Sequence, residues 1–310
     1  YFFQKTIKIN PKFKASYNNL GGAFKELGKF DQAKQSYFQA IKINSNYGNA
    51  HYNIGDVLKE EGKLKESVIS YKKAVECYKK EITTKENQSN HANVFYNLAG
   101  VFKELSRLDE AKNYYKKAIN IKPDYEKAYN NLGTTLKELG EFENASICYQ
   151  KAIKIKPDYA IAYHNLGIVY KLLGNFNKTI DSYEKAIQYE PENLFHYYHL
   201  SDFKKEILNS DLKDKIDAIV NNKNMSNLNL AYGNFLLSKY ELKEKNYKEE
   251  LEYLFKGHLY YNKSTNNKFQ EGTNYALKEL PKIFNISNLK NSKASIEEEN
   301  KKIKPIFIVG

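Results

Sequence analysis

The chain has no tryptophan, one methionine, two cysteines and, at Arg107, a single arginine in 310 residues. Each shortage removes a class of function. Cys77 and Cys148 are too few for a disulfide framework and lack zinc-type spacing, so two structural thiols in a reducing compartment are expected. A net charge of +12 and a pI near 9.2 raise the question of nucleic acid. Arginine is nearly missing, however, and lysine alternates with glutamate, as in KELGKF from Lys25 and KEEGKL from Lys59. That pattern reads as a solvated surface, and no nucleic-acid partner is expected. No apolar run is long enough to cross a bilayer and no signal peptide is visible, so neither a membrane partner nor export is expected. The expected compartment is the cytoplasm. The chain shows no glycine-rich phosphate loop, nucleophile elbow or metal-ligand spacing. No catalytic residue, metal or cofactor is therefore assigned within it. His196 and His199 lie three apart but have no carboxylate or thiol nearby, and read as groove or core side chains.

What the chain has is a repeated pattern. Residues 126–159 hold two amphipathic helical segments. Tyr129, Leu132, Gly133 and Leu136 share one face of the first; Ala145, Tyr149, Ala152 and Ile153 share one face of the second. Gly140 lies in the break, where a helix C-terminus favours a left-handed residue, and Pro157 ends the unit. Leu98, Leu132 and Leu166 are 34 apart, as are Leu20 and Ile54. Gly133 is matched by Gly21, Gly55, Ala99 and Gly167; Tyr149 by Tyr37, Tyr71, Tyr115 and Tyr183; Ala152 by Ala40, Ala74, Ala118 and Ala186. One such unit cannot bury its apolar face alone, so units must stack.

This pattern resembles the tetratricopeptide repeat (TPR) family, whose unit is a 34-residue helix–turn–helix. The resemblance implies an all-α solenoid, a right-handed superhelix of antiparallel helix pairs. A half repeat occupies residues 1–13, five repeats fill residues 14–193, and a sixth first helix begins near Leu194, giving an array over residues 1–200. The array starting mid-repeat suggests that the chain is a fragment at this end. Asp31, Asp109 and Asn177 are expected to cap second helices. The second repeat is ten residues longer, and residues 81–91 (EITTKENQSNH) read as a polar loop.

Residues 201–284 read as a connecting helical region, partly TPR-like, with helices expected over residues 210–219, 228–240, 247–260 and 270–284. Residues 285–304 read as a linker. The apolar run Pro305-Ile306-Phe307-Ile308-Val309-Gly310 reads as one strand of an α/β domain cut short. A TPR array followed by such a strand, with Leu230-Ala231-Tyr232-Gly233 and Gly257-His258 between, resembles the N-terminal part of TPR-containing sulfotransferases. That resemblance implies a full-length parent using 3′-phosphoadenylyl sulfate, with the phosphate loop beginning after Gly310. A non-enzymatic TPR scaffold is the alternative.

One polar feature recurs within the repeats. Asn19, Asn53, Asn97, Asn131 and Asn165 occupy one position of all five first helices, and Lys25, Lys59, Lys103, Lys137 and Lys171 follow six residues later. Asparagine is a mediocre helix former, so its recurrence calls for a reason. The series resembles the asparagine ladder of the O-GlcNAc transferase repeats, which implies that a protein or peptide lies in a concave groove and is held by its backbone. Lys59, Lys103 and Lys137 would then favour acidic peptides. A carboxylate clamp of the chaperone-binding type matches at Lys127, Asn131 and Asn165, but its third unit offers Phe195 and His199 instead.

Overall fold

The computed structural model describes residues 2–80, 85–222 and 224–265. These residues form fifteen α-helices and one short 3-10 turn, with no strand among them. Helix α1 (Phe2–Ile9) is followed by five antiparallel pairs: α2 (Lys14–Glu26) with α3 (Phe30–Ile43), α4 (Gly48–Glu60) with α5 (Leu64–Lys80), α6 (Lys85–Glu104) with α7 (Leu108–Ile121), α8 (Glu126–Glu138) with α9 (Phe142–Ile155), and α10 (Ala160–Leu172) with α11 (Phe176–Tyr189). Each pair packs on the next, so the core runs along the stack.

The conserved spacing of small and large residues is a packing device. Tyr37, Tyr71, Tyr115, Tyr149 and Tyr183 are all fully buried. A Cβ added at Gly21, Gly55, Gly133 or Gly167 would fall 2.5, 2.7, 2.8 or 2.7 Å from the paired tyrosine ring. The absent side chain is what lets the ring lie flat on the first helix. Ala40, Ala74, Ala118, Ala152 and Ala186 expose nothing to solvent.

Helix pairs are joined by tight left-handed turns. Gly28, Gly62, Gly140 and Gly174 have φ between +68° and +78°. In the turn at Gly140, Glu141 N–H donates to Leu136 O (2.9 Å) and Gly140 N–H to Lys137 O (3.0 Å), which closes the last carbonyls of α8. The third repeat has Ser106 at this position, with φ +59° and the same two bonds, Arg107 N–H to Phe102 O and Ser106 N–H to Lys103 O.

Two expectations change. Asp31 and Asp109 do not cap α3 and α7: the cap residues are Lys29 and Arg107, neither with a side-chain bond, and Asn175 is likewise the cap of α11, ahead of Asn177. The two aspartates lie inside the first turn, paired with Lys34 (3.0 Å) and Lys112 (3.4 Å). The insertion in the second repeat is not simply a loop. Residues 85–91 belong to α6, which runs for 20 residues, and α5 reaches 17; only residues 81–84 of that stretch lie outside the described residues.

The chain divides between Pro191 and Glu192. Helix α12 (Leu194–Leu200), where the sequence suggests a sixth first helix, falls in the second unit. That unit continues through the 3-10 turn Lys205–Ile207 and the helices α13 (Ser210–Val220), α14 (Asn227–Lys243) and α15 (Tyr247–Thr265). Leu194, Leu212, Ile216, Leu236 and Leu237 form its core. The helix expected over residues 270–284, the linker and the strand at residues 305–310 lie outside the described residues.

Candidate peptide-binding face

Successive first helices lie against one another: α2 on α4, α4 on α6, α8 on α10. Together they make a continuous wall, and the recurring asparagines stand on it. Four of them make one repeated contact. Asn53 donates its amide to Asn18 Oδ1 (2.9 Å), Asn97 to Tyr52 OH (2.8 Å), Asn131 to Tyr96 OH (2.9 Å) and Asn165 to Asn130 Oδ1 (3.0 Å). Each acceptor sits one residue before the asparagine position of the preceding repeat. The asparagine nitrogens thus tie the wall together. The oxygens of Asn53, Asn97 and Asn165 accept no hydrogen bond among the described residues. Asn131 Oδ1 accepts from Asn130 (3.2 Å). Asn19, in the first complete repeat, is exposed.

The reverse arrangement occurs at residues the sequence reading passed over. Asn18 Oδ1 is taken by Asn53, Asn49 Oδ1 by Tyr78 OH, and Asn93 Oδ1 by Tyr125 OH (3.0 Å). Their amide N–H groups donate to no described residue. Asn49 and Asn93 each stand four residues before a ladder asparagine, on the same helical face, and that spacing was the available signal. Asn18, Asn49, Asn53 and Asn93, with Tyr52 and Asn90, line a polar cleft of about 270 Å³ between the second and neighbouring repeats.

Asp56 anchors this part of the wall from behind. It accepts from Tyr71 OH and from Asn97 Nδ2 (3.1 Å). Burial pushes its carboxyl above the ordinary range, opposed by the Tyr71 bond and by the charge of Lys25. No other repeat has an acid there; the equivalents are Gly22, Gly100, Thr134 and Ile168.

The lysine row is largely occupied by the protein itself. Lys25 pairs with Glu60 (2.9 Å), Lys59 with Glu104 (3.2 Å) and Lys103 with Glu138 (3.0 Å), each reaching the first helix of the next repeat. Lys59 and Lys103 are thus neutralised within the wall, whereas Lys137 makes no ion pair with any described residue. Of the clamp-like residues, Lys127 is exposed, and Asn131 and Asn165 are tied as above. His196 is buried. Among the described residues no three histidine, cysteine, aspartate or glutamate side chains gather as a metal site. Cys77 and Cys148 are buried and not joined in a disulfide; burial raises the Cys148 thiol to about 11, which keeps it protonated and unreactive. No helix among the described residues is long and apolar enough to cross a membrane.

Models of the TPR repeat match residues 21–62 and 133–174, and models of the tetratricopeptide repeat match residues 46–124, 160–193, 2–35 and 114–145. Together they span residues 2–193 without a gap, well over half of the chain, which therefore belongs to the tetratricopeptide repeat family. No curated protein matches the sequence. Among solved structures, a tetratricopeptide repeat protein from Parabacteroides merdae is similar at a TM-score of 0.59, with 18% identity over 86% of this chain and 98% of its own. YrrB, described as a TPR protein with an unusual peptide-binding site, is similar at 0.51, with 22% identity over 63% of this chain and 96% of its own. PilF of Pseudomonas aeruginosa is similar at 0.51, with 16% identity over 86% of this chain and 97% of its own. At these identities the likeness is one of fold.

Proposed function

We propose that this protein binds an extended peptide segment of a partner protein along the wall of first helices. One observation carries the reading: the asparagine amides on that wall are half used. In Asn53, Asn97 and Asn165 the nitrogen bonds within the wall and the oxygen accepts from no described residue; in Asn18, Asn49 and Asn93 the oxygen bonds within the protein and the nitrogen donates to no described residue. The internal bond fixes each amide's orientation, so the remaining group is preorganised for a ligand. A peptide backbone offers alternating donors and acceptors that match both kinds. Neighbouring helices are roughly 8–10 Å apart and an extended chain rises about 3.3 Å per residue, so successive repeats meet every third residue or so. Contacts of this kind read backbone rather than side chains and suit a partner of variable sequence. YrrB's described peptide-binding site, on a similar fold, is consistent with this use.

The sulfotransferase parent rests on residues 305–310 and on the resemblance at Leu230-Ala231-Tyr232-Gly233 and Gly257-His258, and gains no support from the matching families. The scaffold reading needs nothing beyond the array itself.

The test is site-specific photo-crosslinking on the full chain. A photoreactive residue at Lys127 or Ile161, exposed on α8 and α10, should capture a bound library peptide. The same probe at Lys117 or Gln150, exposed on α7 and α9, should not. Capture only from the second helices would overturn the assignment.

A further inference from the structure

The row of inter-repeat ion pairs is interrupted at Lys137. Lys25, Lys59 and Lys103 each meet a glutamate of the next first helix at 2.9–3.2 Å. The acids, Glu60, Glu104 and Glu138, all stand seven residues after the ladder asparagine of their helix. Seven residues after Asn165 the chain has Leu172. Lys137 is thus the next lysine of the row, in register with a leucine instead of an acid. It is half-buried, and no described residue bonds to its ammonium. Leu172 exposes 51% of its surface, as an apolar side chain where all four preceding repeats place a glutamate.

We propose, resting on the peptide-binding reading above, that Lys137 anchors a carboxylate of the bound peptide, with Leu172 packing against an apolar group beside it. The ligand supplies the acid that the fifth repeat lacks. Burial already holds the Lys137 ammonium below its ordinary range, and Lys103 adds to the effect against the opposing charge of Glu138. An incoming carboxylate offsets that penalty, whereas Lys59 and Lys103 already have carboxylate partners within the wall. Lys137 lies six residues along α8 from Asn131, about 9 Å at the helical rise. A peptide held by the asparagine row can reach it with an acidic side chain or with its own C-terminus. Both sources present the same carboxylate chemistry.

The experiment pans two randomised decapeptide pools on the full chain, one with free C-terminal carboxylates and one amidated. The proposal expects acid-bearing sequences to be enriched. Enrichment of aspartate or glutamate in both pools assigns the side chain as the source; enrichment confined to the free-carboxylate pool assigns the terminus. Changing Leu172→Glu completes the row within the protein and should weaken the best selected peptide by about tenfold or more, the worth of a charge-assisted bond. Lys137→Met should do the same, and Lys137→Arg should retain binding. Thermal melts establish that each variant is folded; Leu172→Glu should melt no lower than the parent. Selected peptides without acids, or full affinity in both Leu172→Glu and Lys137→Met, would overturn the anchor while leaving groove binding standing, provided crosslinks still form at Lys127 and Ile161. If neither pool yields a binder, groove binding falls and the anchor with it.

Discussion

Residue 106 shows how a single position holds the repeat together. Four of the five turns that join the two helices of a repeat place glycine in the left-handed region; the remaining one places Ser106 there with φ +59°. A side chain in that conformation costs roughly 1–2 kcal/mol relative to the right-handed helix, a cost that glycine escapes. Ser106→Gly should therefore stabilise the protein by about 0.5–1 kcal/mol, and Gly140→Ala should destabilise it by about 1 kcal/mol. Urea unfolding of the two variants against the parent checks both signs. The turn itself was legible from Gly140 and its neighbours. Serine in the third turn carried no such signal, because its placement follows from the two bonds that bracket it rather than from its own preference.

Between elements, pairing crosses from one repeat to the next. Lys137-Glu138 and its equivalents look like adjacent partners in sequence, yet consecutive helix residues point about 100° apart and do not meet. The lysine reaches the glutamate one repeat on. The repeated Lys-Glu dipeptide, and its break at Lys171-Leu172, was visible in the chain; what hid its meaning was that the contact spans 35 or 45 residues. A second set of inter-repeat pairs joins Lys34 to Glu61 (2.7 Å) and Lys112 to Glu141 (2.9 Å). Hydrogen bonds from the two lysines hold both carboxyls below the ordinary 4.5, and the lysines are raised above 10.5 in turn. A lowered carboxyl contributes stability that is complete above its unfolded pKa and is lost as pH falls through the lower folded value. The lysine side of each pair is complete below 10.5 and is lost as pH rises beyond that. The pairs therefore contribute across the neutral range and fail first in acid, below about 4.5. Thermal melts from pH 6 to pH 3 should show a smaller acid loss in Glu61→Gln/Glu141→Gln than in the parent. An identical acid loss would remove these pairs from the account.

Across the molecule, the 34-residue period made the array readable, because every repeat solves the same burial problem with the same tyrosine and alanine, and with a glycine opposite the tyrosine in all but the third, which has Ala99. The first helices of four repeats begin in step with that period, at Lys14, Gly48, Glu126 and Ala160, while that of the third begins early, at Lys85. The candidate face was legible only in part. The asparagine row announced itself by recurrence, but periodicity cannot say which end of an amide is used. That depends on Tyr52, Tyr96, Asn18 and Asn130, which the repeat does not keep constant. Nor could composition single out Lys137, since a net charge of +12 says nothing of which ammonium of the row lacks an ion pair among the described residues. The central claim is that half-used amides on the first helices receive a peptide backbone. Side-chain NMR of asparagine-labelled protein tests it most directly, recorded with and without a selected library peptide. The account predicts that the carbonyl carbons of Asn53, Asn97 and Asn165 and the amide protons of Asn18, Asn49 and Asn93 shift on binding, while the amide protons of Asn53, Asn97 and Asn165 stay bonded within the wall and nearly unmoved. Shifts confined to second-helix residues such as Asn113 and Asn144, with the first-helix asparagines unchanged, would contradict it.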